Sequence, residues 1–186
     1  MFYVTNTSGS RFPYRVEAAE EGQQGQQRNK RHLKDKSEEK KQRKFLKACE
    51  MLCKQRPVIY AKEIMNKNIL CLSANLSLDE VWEEVKKHHF EYFPVISPEG
   101  TCIGLLSEKE ILAKVREKER GTLLKEIMPK KALCAEEQTI LKDALQVFLN
   151  ERIDAFPVLN KHHQVVGIVS RNDLVQTALK VGRFRP

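Results

Sequence analysis

The feature that most constrains this chain is that it carries one stretch of sequence twice. Displaced by 63 residues, Lys62-Glu63-Ile64-Met65 falls on Lys125-Glu126-Ile127-Met128, and Leu70-Cys71 falls on Leu133-Cys134. In the same register Phe93-Pro94-Val95 meets Phe156-Pro157-Val158, Gly104 meets Gly167, Ser107 meets Ser170, and Glu110 stands opposite Asp173. No gap is needed. Agreement at several separated blocks in one register marks a duplicated unit.

Both copies predict the same order of elements. A short helical turn closes at Met65 or Met128, and a brief strand follows over 69–72 or 132–135. An amphipathic helix then runs from Ser77 to His88 or from Thr139 to Glu151. In the first copy Ser77-Leu78-Asp79-Glu80 is a capping box, and Leu78, Val81, Trp82 and Val85 form the apolar stripe. Ile140, Leu141, Ala144, Leu145, Phe148 and Leu149 form it in the second. Two strands joined by a tight turn come next, Tyr92–Ile96 with 101–106 and Ala155–Leu159 with 164–169. A last helix opens at Ser107 or Ser170. The result is an α/β (α+β) fold of two β-α-β-β-α units. A unit of roughly sixty residues is too small to bury its sheet alone, so the two copies should pack face to face with pseudo-twofold symmetry.

The charge lies outside the repeats. Between Arg28 and Arg56 there are twelve basic and four acidic residues, which matches the net charge of +8 for the whole chain. The stretch from Arg28 to Gln55 has no Gly or Pro and is rich in Lys, Glu and Gln, so it predicts a helix ending before Pro57. Its second half carries Phe45, Leu46, Cys49, Leu52 and Cys53 near helical spacing, a stripe able to dock on the globular part. The organisation expected is an N-terminal segment and polar linker over 1–27, a basic helix over 28–57, a first repeat over 58–118 and a second over 119–182. The basic run fits either contact with a polyanion such as nucleic acid or a solvated helix face, and no aromatics suited to base stacking accompany it.

Several function classes are disfavoured. No stretch approaches the roughly 18 apolar residues of a membrane span, and the N-terminus lacks a basic run followed by an apolar one, so a cytoplasmic location is expected. The five cysteines are scattered without a CxxC pair, and reduced thiols with no metal are expected. There is no nucleophile elbow, P-loop or dinucleotide-binding glycine pattern, so an enzyme is not expected. The paired histidines His88-His89 and His162-His163 sit at a helix end and in a turn, where structural or solvated roles are usual.

The Glu-Ile-Met opening, the Phe-Pro-Val strand and the closing pattern Val166-Gly167-Ile168-Val169-Ser170-Arg171-Asn172-Asp173, echoed by Ile103-Gly104-Leu105-Leu106-Ser107-Glu108-Lys109-Glu110, resemble the cystathionine-β-synthase (CBS) domain pair, or Bateman module. The resemblance covers about residues 58–180. A basic, glutamine-containing leader is also similar to stand-alone bacterial CBS-domain proteins. The resemblance implies a non-catalytic sensor with two clefts between the repeats, commonly holding AMP, ADP, ATP or S-adenosylmethionine, and association into homodimers. It implies that the acid of the Ser-x-x-Asp motif, here Asp173, accepts from the ribose hydroxyls, and that Ser170 faces the phosphate. Adenine would lie against the first strand of the repeat, at Ala132.

Physical chemistry favours the same residues. Ser170 as a helix N-cap would present backbone N–H groups to an anion. Gly167 would allow close approach of the strand before it. Arg171, Lys130, Lys131 and His162 are candidates for neutralising phosphate. Ser-x-x-acid is equally a helix-capping signature worth about 1 kcal/mol without any ligand. Glu is the better capping partner and its extra methylene reaches too far for a fitted ribose site. One competent site, centred on the second repeat, is therefore expected. The competing expectation is a dimeric scaffold whose basic helix binds nucleic acid or another macromolecule.

Overall fold

The computed structural model describes residues 1–15, 36–55, 58–117 and 121–183. Two sheets carry the repeats. The first repeat contributes β3 (Leu72–Ser73), β4 (Tyr92–Ile96) and β5 (Cys102–Ser107), with α3 (Leu78–Val85) before β4 and α4 (Glu108–Arg116) after β5. The second contributes β6 (Lys131–Glu136), α6 (Leu141–Asn150), β7 (Ala155–Leu159), β8 (Val165–Ser170) and α7 (Arg171–Arg183). In both, the first strand pairs parallel with the second and the second antiparallel with the third. The register breaks at equivalent places, Val95/Ile96 and Val158/Leu159. The duplication read in the sequence is a duplication of structure.

The opening turns do not stay with their own repeats. The turn α2 (Ala61–Ile64) donates from Ala61 N to Thr139 O at 2.8 Å and from Lys62 N to Glu137 O at 3.1 Å. Asn66 and Ile168 exchange backbone hydrogen bonds at 2.8 and 3.0 Å. Reciprocally, α5 (Leu124–Ile127) donates from Leu124 N to Leu76 O and from Lys125 N to Ala74 O. Ile59, Ala61 and Ile64 are therefore buried in the core of the second repeat, while Leu124 and Met128 are buried in that of the first. At the seam Cys102 and Cys134 meet sulfur to sulfur at 3.8 Å beside Ala132 and Leu159.

This exchange explains two repeated residues at once. A Cβ on Gly167 would lie 2.7 Å from Met65 Sδ, 2.9 Å from its Cγ and 3.0 Å from the Asn66 carbonyl oxygen. A Cβ on Gly104 would lie 2.8 Å from Met128 Cε and 3.3 Å from its Sδ. Each Met closes its turn over the Gly of the other repeat. The space over Gly167, assigned from the sequence to close approach of the strand, is filled from within the chain.

The N-terminal residues add a hairpin within what the sequence assigns only as an N-terminal segment. β1 (Phe2–Asn6) pairs antiparallel with β2 (Arg11–Tyr14) and with β6, extending the second sheet to the order β2-β1-β6-β7-β8. Asn6 Oδ1 accepts from Ser8 N and Ser10 N, and Gly9 supplies the positive φ of the turn. Phe2 is buried edge-on to Phe156 at 5.3 Å. Pro13 lies on the outer edge strand, the place in a sheet where proline is tolerated.

The basic segment forms α1 (Lys36–Gln55), a 20-residue helix lying along α7. Phe45, Ala48, Cys49 and Leu52 enter the core of the second repeat. Leu46 does not share that face and is 39% exposed, because helical periodicity turns it about 100° from Phe45. The expected helical residues 28–35, the linker 16–27 and Pro57 lie outside the described residues.

Gly167→Ala is expected to cost about 1–3 kcal/mol, because Met65 Cγ and the Asn66 backbone cannot both withdraw. Gly104→Ala should cost less, since its nearest neighbour is the swinging end of Met128. Urea-denaturation midpoints check the order; equal small losses would contradict the exchange lock.

Candidate functional site

A cleft of about 810 Å³ lies between the repeats, within the size range of small-molecule sites. Both closing motifs reach it. The first repeat brings Leu105, Ser107 and Glu108 to Glu110, together with Glu91 and Tyr92. The second brings Lys131, Ala132, Arg152, Asp154, Ser170 and Arg171. Lys41, Gln42, Lys44 and Phe45 of α1 form a further wall. Among the described residues the lining carries six basic and four acidic side chains, so cations predominate.

The two Ser-x-x-acid turns are built alike. Ser170 N and Oγ donate to Asp173 Oδ2 at 2.8 and 2.6 Å, and Asp173 N donates back to Ser170 Oγ at 3.2 Å. In the first repeat Ser107 N and Oγ donate to Glu110 Oε2 at 2.8 and 2.7 Å, with Glu110 N returning at 3.2 Å. Asp and Glu thus close the same capping box, and the side-chain length on which the sequence reading separated the repeats does not separate them here. Both motifs also border this same cleft.

The other expected residues divide. Ser170 is buried at the cleft, while Asp173 and Lys130 are not among the residues that line it. Lys131 lines it and is exposed. Ala132 also lines it, but its carbonyl accepts from Thr5 Oγ1 at 3.3 Å and its backbone is in register with Thr5 of the added strand. His162 is exposed in the β7–β8 turn, away from the lining.

Arg171 requires a correction. Expected to neutralise phosphate, its guanidinium is committed to structure. Nε donates to Ile153 O at 2.9 Å, Nη2 to Phe148 O at 2.8 Å and Nη1 to Gln42 Oε1 at 3.3 Å. The group also sits 5.3 Å over the Phe45 ring and 3.4 Å from Asp154 Oδ1. The planar fork satisfies a carbonyl at the C-terminal end of α6 and fastens α1 to the second repeat.

Sequence reasoning missed Tyr92 and the α1 side chains. Tyr92 donates to Glu91 Oε1 at 3.4 Å. Burial first, and then the Glu91 and Asp154 charges, push its hydroxyl far above the usual phenol range. It therefore remains a neutral donor and an aromatic surface in the cleft. Tyr92 looked like an ordinary strand residue because its neighbours Phe93 and Val95 are core. Lys41 and Lys44 were legible only as part of a charge run, since docking of α1 decides which charges face the cleft.

A sequence model described as CBS domain matches residues 61–117 and again 124–180. The chain belongs to the CBS domain family. It is similar to an uncharacterised 17.7 kDa protein of Acidianus ambivalens, 24% identical over 119 residues covering 64% of this chain and 73% of the relative. It is also similar to inosine-5'-monophosphate dehydrogenase of Methanocaldococcus jannaschii, 21% identical over 62% of this chain but only 23% of that enzyme. Among solved structures, the CBS domain pair of protein MJ0100 in complex with 5'-methylthioadenosine and S-adenosyl-L-methionine superposes with a TM-score of 0.58 at 23% identity, covering 68% of this chain and 99% of that one. CBSX2 in complex with AMP gives 0.58 at 24% identity, over 67% and 98%. The cytosolic domain of the Mg2+ channel MgtE in complex with ATP gives 0.57 at 19% identity, over 69% and 52%. At these identities the superpositions establish the CBS-pair fold.

Arg171→Ala is expected to lose about 1–3 kcal/mol, because it strips the donors from two largely buried carbonyls. Arg171→Lys should recover little, since an ammonium cannot span three acceptors. In limited trypsin digestion both variants should be cut faster within α1 than wild type; unchanged α1 cleavage would contradict the clamp.

Proposed function

We propose that this CBS pair is a non-catalytic regulatory module that binds an adenosine-containing ligand, AMP, ADP, ATP or S-adenosylmethionine, in the cleft between its repeats. The observation that carries the proposal is the convergence of both Ser-x-x-acid turns on one cleft of about 810 Å³. Three solved proteins of the same fold hold adenosine compounds: 5'-methylthioadenosine with S-adenosyl-L-methionine, AMP, and ATP. Tyr92 and Ala132 offer an apolar lining for the base, and the N-terminal end of α7 borders the cleft, where its dipole favours an anion although Ser170 N, Arg171 N and Asp173 N are already bonded within the protein. Asp173 Oδ2 is held by Ser170 and the residue does not line the cleft, so its assignment to the ribose diol rests on the Ser-x-x-Asp resemblance alone. Lys131 is assigned to the phosphate; Lys130, outside the lining, would act only at longer range.

A second reading rests on α1, whose Lys40, Arg43, Lys44, Lys47 and Lys54 are all exposed. Four of these five lie within about 80° of one another on the side of the helix away from Phe45 and Leu52, a stripe suited to a polyanion such as nucleic acid.

A thermal-shift panel of AMP, ADP, ATP, S-adenosylmethionine and GTP on wild type and Asp173→Asn tests the sensor reading. Ligand at 100 times its Kd contributes about 2.7 kcal/mol, a rise of roughly 5–10 °C for a chain of this size. The rise should appear with an adenosine compound and weaken about tenfold in concentration dependence in Asp173→Asn, which keeps a capping acceptor. A flat panel, with salt-dependent retention of the protein on nucleic acid, would favour the second reading.

A further inference from the structure

We propose that α1, which lies outside both repeats, completes the ligand site, and that its Lys41 and Lys44 make the cleft selective for adenine nucleotides with two or three phosphates over AMP and S-adenosylmethionine. The inference rests on the adenosine reading above and specifies its ligand.

The position of α1 is fixed by packing. Phe45 is 2% exposed, lies edge-on to Phe148 at 5.9 Å and is covered by the Arg171 guanidinium. Gln42, one turn before Phe45, accepts from the same guanidinium. Lys41 and Lys44 stand four and one residues before Phe45, so fixing Phe45 fixes where both of their stems leave the helix, and both line the cleft.

The charge balance of the cleft then depends on the helix. Three of the four cleft carboxylates already accept from a cleft neighbour: Glu110 from Ser107, Asp154 faces Arg171, and Glu91 accepts from Tyr92. Arg171 in turn spends its donors on carbonyls and Gln42. The repeats contribute Lys109, Lys131 and Arg152 as further cations, and α1 contributes two more and, among the described residues, no acid. A first phosphate can be met by Lys131, beside the positive end of the α7 dipole. A second and third phosphate, carrying added negative charge, are served by the lysines of the α1 wall. The sulfonium of S-adenosylmethionine adds a positive charge to a lining where cations already predominate, and is disfavoured.

Calorimetric titration of the full chain with AMP, ATP and S-adenosylmethionine tests this, using wild type, Lys41→Gln/Lys44→Gln and Lys47→Gln. Lys47 is exposed on α1 and does not line the cleft, so it controls for helix charge in general. Wild type should bind ATP at least about tenfold more tightly than AMP, the worth of a charge-assisted hydrogen bond. The double variant should lose that advantage while its AMP affinity stays within about twofold, and Lys47→Gln should leave the ratio unchanged. Equal affinities in wild type, or an advantage that survives the double variant, would overturn the inference while leaving the adenosine reading standing. Failure of every ligand to bind would overturn both.

Discussion

The exchange of opening turns holds the rest of the molecule in place. Met65 closes over Gly167 and Met128 over Gly104, so each sheet is covered in part by a turn from the other repeat. Neither repeat is a complete packing unit by itself. Because the turns cross, backbone hydrogen bonds such as those between Asn66 and Ile168 tie the repeats together, and both closing motifs line the cleft between them. A glycine is required where a thioether must sit directly on a strand, since any Cβ would displace it.

The second repeat carries more than its share. Its core takes in Phe2 from the hairpin and Phe45, Ala48, Cys49 and Leu52 from α1, in addition to its own helices and the exchanged turn. Arg171 sits where these pieces meet. It begins α7 beside the cleft, caps α6 and grips α1. A ligand that moved the start of α7 would therefore act on α1 through one side chain, a short physical route from cleft to leader helix. Such coupling requires that the ligand bind two arrangements of α1 unequally.

Much of this was legible in the sequence. The 63-residue register located every repeat element, and the Ser77, Ser107 and Ser170 caps mark helix starts in the structure as the local pattern demands. Periodicity also found the docking face of α1 at Phe45, Cys49 and Leu52 but not at Leu46, and the Cys53 side chain lies outside what is described. What was not legible depends on contacts between distant segments. The exchange of turns leaves no local trace, because Lys-Glu-Ile-Met would read as a helical turn on either repeat. The hairpin at residues 2–14 was hidden by its short strands and by Pro13, which lowers strand propensity without forbidding an edge. Arg171 was read as a phosphate ligand because its type and position allow it, and only the carbonyls of Phe148 and Ile153 around it reveal its other use.

Hydrogen–deuterium exchange of the full chain with and without saturating ATP tests the central claim most directly, namely that both closing motifs and α1 bound one ligand site. The account predicts added protection at three places together: residues 105–110, residues 170–175 and the α1 segment around Lys41–Phe45. Protection confined to the repeats, with α1 unchanged, would contradict the role given to the helix. Protection at none of the three would contradict the site itself.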